Sequence, residues 1–172
     1  VVSLTGGTAT FADKNVGTGK TVTATGLSLT GANAGKYVLS STTAATTANI
    51  SAKELTVTGA TAQNKVYNGT TAATISGATL NGKVGTEDVS LANATTGTFA
   101  QAGIGSAIAV ATAPMTITGA DIANYSLTQP TGLTANITAK ALTVSGVTAS
   151  NKTYNGNTTA TLNTGSAAGC ET

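Results

Sequence analysis

The sequence lacks most of the side chains on which enzyme chemistry depends. It contains no histidine, tryptophan or arginine, and Cys170 is its only cysteine. Without histidine, neither a zinc site with the usual ligands nor a histidine-dependent catalytic triad can be assembled from this chain. One cysteine cannot form an internal disulfide bond, and we interpret Cys170 as a thiol without a function. We therefore predict that the protein is not an enzyme, and we expect no catalytic residue, no cofactor and no metal site.

Charge is also scarce. Charged residues make up 8% of the chain, and the net charge of +2 comes from scattered lysines. Binding to nucleic acid requires clustered Lys or Arg to neutralise phosphates, so we predict no nucleic acid partner. No apolar run approaches the roughly 18 to 20 residues of a membrane-spanning helix, so we expect no membrane span. A signal-peptide pattern is also missing, which indicates a mature protein or an internal segment.

Threonine makes up about a fifth of the residues. Thr and Val are β-branched and fit a pleated, half-buried surface, which favours strands. Apolar and polar residues alternate in stretches such as Leu55-Thr-Val57 and Leu142-Thr-Val144, and this period of two is typical of antiparallel sheets with one buried face. Short strands that alternate with Gly or Asn turn signals suggest a sandwich or barrel. The sequence therefore predicts an all-β fold.

The whole sequence repeats at a spacing of about 87 residues. NKVYNGTTAAT at 64–74 returns as NKTYNGNTTAT at 151–161, and TANISAKELTVTG at 47–59 returns as TANITAKALTVSG at 134–146. At a spacing of 88, GANAGKYVLS at 31–40 returns as GADIANYSLT at 119–128. Solenoid repeats are shorter, at about 20 to 47 residues, so this period favours a small domain with its own core.

The YNG motif within the repeat is interpreted as structural. Asn-Gly favours a tight turn because both residues tolerate positive φ. The preceding tyrosine is one of few large side chains, and we expect it to supply core area with its hydroxyl at the rim. We assign a structural role, as the signature of the repeat, to eight residues: Tyr67, Asn68, Gly69, Tyr154, Asn155, Gly156, Tyr37 and Tyr125.

The order of motifs, from LTVTG through NKVYNGTTAAT, VSL and GTFA to GKYVLS and TANI, resembles the YDG-type modules of large filamentous-haemagglutinin-like bacterial adhesins. Bacterial Ig-like modules, including the MBG type, are related to them. The resemblance covers essentially the whole chain and implies tandem Ig-like antiparallel β-sandwich modules. Asn68 and Asn155 stand where the family usually has Asp, which weakens the idea of an acidic metal ligand there.

The family phasing implies three parts, which we call the first, second and third copies. Residues 1–52 form the C-terminal part of a first module, 53–139 a complete module, and 140–172 the N-terminal part of a third. The implied function is a stalk segment of an adhesin at the bacterial cell surface or outside the cell. Its partners would be neighbouring modules, with host or matrix surfaces reached through domains not present here. Two alternatives remain open: a subunit of a filament built by strand exchange between chains, and a glycan- or surface-binding β module.

We assign no function to three further sequence features. GTGKT at 17–21 lacks the first glycine of a phosphate-binding loop, since position 14 is lysine, and the second copy reads GSAIA there. An isopeptide crosslink through Lys53 or Lys140 is disfavoured because no acid catalyst is identifiable beside either lysine. Asn-x-Ser/Thr sequons are expected by composition in so Thr-rich a chain, with glycosylation left open; they begin at Asn49, Asn68, Asn93, Asn124, Asn136, Asn151 and Asn157.

Overall fold

The computed structural model describes residues 1–170, and within them the fold is all-β, which confirms the predicted class. The strands are β1 (Ser3–Phe11), β2 (Gly17–Thr30), β3 (Ala44–Ile50), β4 (Lys53–Thr58), β5 (Thr61–Ala62), β6 (Lys65–Val66), β7 (Ala72–Ser76), β8 (Thr79–Asn81), β9 (Ser90–Ala92), β10 (Thr96–Phe99), β11 (Gly105–Thr112), β12 (Thr116–Thr118), β13 (Tyr125–Thr128), β14 (Leu133–Thr138), β15 (Thr143–Ser145), β16 (Thr148–Ala149), β17 (Leu162–Asn163) and β18 (Ser166–Ala168). Two short 3-10 helices, η1 (Ala34–Lys36) and η2 (Ile122–Asn124), are the helical elements of this described part.

The chain forms two compact units. The first comprises Val1–Thr56, Leu80–Ser90 and Ile117–Thr128, and the second comprises Val57–Thr79, Leu91–Thr116 and Gln129–Thr172. In the first unit, β1, β2 and β3 form an antiparallel sheet in that order, with Phe11 opposite Val22. A second sheet of this unit has the order β13-β4-β8.

The core of the first unit is small. Leu55, Val89 and Tyr125 are buried together, and partly buried hydrophobic residues pack around them: Leu80, Ile117 and Leu127. Leu55 lies on β4 and Tyr125 on the neighbouring β13, so the period-two alternation of β4 delivers Leu55 to the buried face.

The second unit contains a six-stranded sheet with the order β5-β7-β10-β11-β14-β6. Most of its pairs are antiparallel, but β14 pairs with β6 in parallel, and in the first unit β13 pairs with β4 in parallel. The expectation of purely antiparallel sheets was therefore wrong for these two pairs. Parallel partners require a long connection, which the residues between β4 and β13 provide. The buried residues of this unit are Ala73, Ile75, Phe99, Ile108, Val110, Met115, Ala135 and Ile137.

Burial is confined to the second copy. Every buried hydrophobic residue lies between Leu55 and Ile137, and no described residue of 1–54 or 138–170 is buried. Yet the flanking copies carry apolar residues at most of the matching positions, with Lys20 at the position of Ile108 as an exception. Leu142, one repeat after Leu55, is 49% exposed, while Leu55 itself is fully buried. The same side chain thus belongs to a core in one copy and to the surface in the next.

The tyrosines show this difference directly. Tyr125 is buried and Tyr67 half-buried, but Tyr37 is 62% and Tyr154 is 93% exposed. The expectation that Tyr154 supplies core area was therefore wrong. In residues 140–170 the strands pair only as two-stranded ribbons, β15 with β18 and β16 with β17, and an isolated ribbon has no second layer to cover a side chain.

A β-bulge recurs at the repeat spacing. The register of β2 against β3 shifts between Gly17 and Lys20, and the register of β11 against β14 shifts at the matching place, before Ile108. The residue within each bulge has left-handed backbone geometry, with φ of 60° at Gly19 and 50° at Ala107. An asparagine of the neighbouring strand accepts its N–H at 2.8 Å in both cases, Asn49 for Gly19 and Asn136 for Ala107.

Candidate functional site at the junction of the first two copies

The YNG motif does not form a β-hairpin. Gly69 and Gly156 have φ of 73° and 74°, as a turn glycine should, but their asparagine neighbours do not share a positive φ. The flanking strands β6 and β7 pair with β14 and β10 rather than with each other. The expectation of a tight two-residue turn is therefore corrected to a wider loop, because each flanking strand is held by a strand from later in the chain.

A lysine ammonium group binds this loop through hydrogen bonds to several of its residues. Lys65 Nζ donates to Asn68 Oδ1 at 2.9 Å, to the Thr70 carbonyl at 2.5 Å and to the Ala72 carbonyl at 3.1 Å. The same ammonium lies 5.3 Å from the ring centroid of Phe99, a cation–π distance. An ammonium has three donors, so these acceptors satisfy its hydrogen-bonding capacity.

The loop of the third copy is built in the same way. Lys152 Nζ donates to Asn155 Oδ1 at 3.0 Å and to the Asn157 carbonyl at 2.6 Å. In both loops the asparagine of the YNG motif accepts a hydrogen bond from the lysine ammonium through its side-chain oxygen. The amide oxygen therefore accepts this hydrogen bond without carrying a charge, and the asparagine side chain of the motif is used within the loop itself.

The most concentrated charged contact of the described residues joins the first copy to the second, within the first unit. Lys14, in the loop between β1 and β2, forms a 2.5 Å ion pair with Glu87, in the segment between β8 and β9. Lys14 Nζ also lies 3.8 Å from an oxygen of Asp121, just before η2. We call this group of residues, with Tyr125, the junction cluster.

Tyr125 connects the junction cluster to the core. Its hydroxyl donates to Glu87 Oε2 at 2.6 Å and accepts the backbone N–H of Val84 at 3.0 Å. The hydrogen bond from Lys14, followed by that from Tyr125, lowers the pKa of Glu87. The hydrogen bond to Glu87 raises the pKa of Lys14 and, together with burial, that of Tyr125. At neutral pH the cluster therefore holds a charged pair and a protonated phenol.

Hydrogen bonds between uncharged groups also join the first copy to the second. The backbone N–H of Val16 donates to Asn124 Oδ1 at 2.9 Å, and Asn124 Nδ2 donates to Asn15 Oδ1 at 3.3 Å. Asn124 is one of the sequon asparagines, and its amide is used to join the copies. A cavity of about 250 Å³ lies beside these contacts, and its lining includes Ile50 and Lys53 from the connection between the copies.

The second unit has a cavity at the matching place. It measures about 320 Å³ and is lined by Tyr67, Ile104, Ala139, Lys140, Leu142, Gly169 and Cys170. Ile104 and Lys140 stand one repeat after Val16 and Lys53. The counterpart of Lys14 is Ala102, however, so this second cavity has no lysine at that position. Cys170, which is part of this lining, is an exposed free thiol.

No sequence pattern predicted that Lys14, Glu87 and Asn124 lie together. A signal was available in the differences between copies, since Lys14 and Asn124 are replaced at the matching positions by Ala102 and Lys36. Of the eight signature residues, the structure brings Tyr125 alone into the junction cluster.

Among residues 1–170, no group of three or more metal-ligating side chains comes together, and no described helix is long and apolar enough to cross a membrane.

Comparison with known proteins gives one finding. The family model of the YDG domain matches residues 1–45, 51–132 and 138–171. Searches of curated proteins and of solved structures gave no significant match.

Proposed function

We propose that this chain, which belongs to the YDG domain family, is a structural stalk segment of a bacterial cell-surface or secreted adhesin. In this proposal, tandem Ig-like sandwich modules repeat at about 87 residues and hold a distal binding domain away from the cell. The partners are the neighbouring modules, and contact with a host or matrix surface is left to other domains. The observation that carries the proposal is the direct joining of the first and second copies through Lys14, Glu87 and Asn124.

The connection between these copies supports a spacer role. Two residues, Ser51 and Ala52, separate β3 from β4. Neither is Gly or Pro, and a connection of two ordinary residues between paired strands has little freedom compared with a flexible linker. Beside this connection, hydrogen bonds and an ion pair also join the first copy to the second. A joint fixed at two points transmits the direction of one copy to the next, which a stalk requires.

The proposal is tested by adding copies. Chains are prepared with one, two and three additional copies of residues 53–139 inserted after residue 139, and their maximum dimension is measured by small-angle X-ray scattering. We expect a constant increase in length for each added copy. A maximum dimension that grows only as the cube root of mass would mean that the copies collapse into a globule, and it would refute the stalk.

A surface-binding role is the second candidate, and one observation favours it. The sheet of the first unit carries exposed threonines side by side, with Thr8 opposite Thr25 and Thr10 opposite Thr23. A flat rank of hydroxyls is suited to a glycan or an ordered surface. The second copy weighs against it, because the positions that match Thr21, Thr23 and Thr25 are alanines: Ala109, Ala111 and Ala113. A glycan array probed with the chain tests this role directly.

A further inference from the structure

We propose that Asn81 is a site of spontaneous deamidation, and that hydrogen bonds from lysine protect the two other Asn-Gly pairs of the chain from the same reaction. The dipeptide occurs three times, at 68–69, 81–82 and 155–156. Asn-Gly is prone to this reaction because glycine has no Cβ to hinder the approach of its backbone nitrogen to the asparagine side chain. The inference concerns a modification of the chain and does not rest on the proposed stalk.

The reaction needs only the chain itself and solvent water. The Gly82 backbone nitrogen attacks Cγ of Asn81, a bond between these two atoms forms, and the bond from Cγ to Nδ2 breaks. The side-chain nitrogen takes up the Gly82 amide proton and leaves as ammonia, so that a cyclic succinimide remains. Water then adds to either imide carbonyl and opens the ring to aspartate or isoaspartate. The side-chain amide is thereby replaced by a carboxylate, and the site gains a negative charge.

Solvent exposure does not distinguish the three asparagines. Asn68, Asn81 and Asn155 are all exposed, so water reaches each of them. The glycine that follows each asparagine has a positive φ, between 73° and 101°, so the sign of this angle does not distinguish them either. The three sites differ in the hydrogen bonds that each asparagine side chain makes.

The amide of Asn68 is held in place. Its Oδ1 accepts hydrogen bonds from Lys65 Nζ at 2.9 Å, from Thr70 Oγ1 at 2.9 Å and from the Thr70 backbone N–H at 3.2 Å. Attack on Cγ requires the amide to turn its face toward the Gly69 nitrogen, so these bonds oppose the reaction. A hydrogen bond from a charged donor is stronger than one between neutral groups, and we therefore expect the lysine to contribute most of the protection.

The amide of Asn155 is held in the same way by fewer bonds. Its Oδ1 accepts hydrogen bonds from Lys152 Nζ at 3.0 Å and from the Asn157 backbone N–H at 3.3 Å. The lysine is again the charged donor. We therefore expect Asn155 to be protected, but less strongly than Asn68.

Asn81 lacks this restraint. It is the last residue of β8, an edge strand of the sheet β13-β4-β8, and Gly82 lies outside the strand. The Asn81 side chain makes no hydrogen bond with any residue that the structure describes. Its amide can therefore rotate until Cγ faces the Gly82 nitrogen, and we expect this site to be modified first.

The modified position lies at the start of the segment that leads to the junction cluster. Isoaspartate carries the main chain through Cβ and so lengthens the backbone by one atom directly before Gly82. A Cβ at Gly82 would lie 3.1 Å from the Glu54 carbonyl oxygen of β4, so the chain passes close to the sheet here. Val84 and Glu87, which both contact the tyrosine of the junction cluster, follow in the same segment. An isoaspartate would therefore disturb the connection between β8 and the junction cluster.

The test follows the full chain over time in a mildly alkaline buffer. Peptide mass spectrometry quantifies, at each Asn-Gly pair, the mass increase that accompanies the exchange of an amide for a carboxylate, and electron-transfer fragmentation distinguishes isoaspartate from aspartate. We expect Asn81 to be modified about tenfold faster than Asn68, because a charged hydrogen bond of typical strength corresponds to about tenfold in rate. Equal rates at the two sites, or faster modification of Asn68, would overturn the proposal.

The same time course in concentrated urea separates the fold from the local sequence. The three asparagines should then be modified at similar rates, because unfolding removes the hydrogen bonds that hold two of the amides. If the order of rates persisted in urea, the residues next to each dipeptide would determine it, and the structural explanation would be wrong.

A lysine variant tests the protection directly. Lys152→Met removes the ammonium from a loop in a region where no described residue is buried, so the buried cores do not depend on it. We expect deamidation of Asn155 to become about tenfold faster, while the rate at Asn81 stays the same. The matched control, Lys36→Met, removes an exposed lysine that makes no hydrogen bond with a described residue, and it should change neither rate. An unchanged or slower reaction at Asn155 in Lys152→Met would show that the ammonium does not protect the amide, and it would overturn the proposal.

Discussion

Leu55→Ala and Leu142→Ala form a matched pair one repeat apart, in the nearly identical contexts ELTVTG and ALTVSG. Leu55 is fully buried against Val89 and Tyr125, and truncation of such a leucine leaves a cavity as well as losing transfer free energy. We expect Leu55→Ala to lower the free energy of unfolding by about 3 kcal/mol, within the range for buried leucines. Leu142 is 49% exposed. Leu142→Ala therefore leaves no closed cavity and loses roughly half of a transfer free energy of about 2 kcal/mol, so we expect it to lower the free energy of unfolding by about 1 kcal/mol.

The assay is urea unfolding followed by far-UV circular dichroism. The unfolding slope should stay the same in both variants, because the surface exposed on unfolding hardly changes. Equal losses for the two variants would refute the conclusion that a core is confined to the second copy. The pair is informative because local sequence is nearly constant, so only the surroundings of the leucine differ.

Three further predictions concern the bulge and the junction cluster. Ala107→Gly should raise the free energy of unfolding in urea by about 0.5 kcal/mol, because relief of the left-handed backbone strain at alanine outweighs the added freedom of the unfolded chain. Gly19→Ala, at the matching position, should lower the free energy of unfolding by about 1 kcal/mol. Changes of the opposite sign would contradict the role given to the left-handed residue of the bulge. Glu87→Gln should lower the melting temperature at low salt, and the difference should shrink in 1 M salt if charge is responsible. Because the pKa of Glu87 is lowered, its contribution to stability should be full above pH 4.5 and be lost as the pH falls through the folded value. Because the pKa of Lys14 is raised, its contribution to stability should be full below pH 10.5 and be lost as the pH rises through the folded value. A difference in stability between the unsubstituted chain and the Gln variant that does not change with pH would count against both pH predictions.

Much of the fold is visible in the sequence. The all-β class follows from β-branched residues and period-two alternation, and turn positions follow from glycines such as Gly69 and Gly156, which adopt positive φ. The repeat spacing also locates the second bulge residue, Ala107, from the first, Gly19. These features depend on a few neighbouring residues, and local patterns report them well.

The rest depends on residues far apart in the chain. The burial of Tyr125 and the exposure of Tyr154 cannot be distinguished from their local sequences, because the difference lies in whether a second layer covers them. The parallel pairing of β4 with β13 joins segments separated by most of a copy. The ion pair of Lys14 with Glu87 spans a similar separation. A lysine and a glutamate in loops carry no local sign that they meet, so the junction cluster could not be predicted from the sequence.

A stalk requires neighbouring copies to be joined at a fixed geometry, and one distance measurement tests this joint. In a Cys170→Ser background, spin labels are attached at Thr23→Cys on β2 and Ser126→Cys on β13, both exposed and both within the first unit. Pulsed electron–electron double resonance then reports the distribution of the distance between them. We expect one narrow distribution that broadens when Lys14→Ala and Asn124→Ala remove the bridging contacts. A broad distribution in the otherwise unmodified chain, unchanged by these two substitutions, would contradict it.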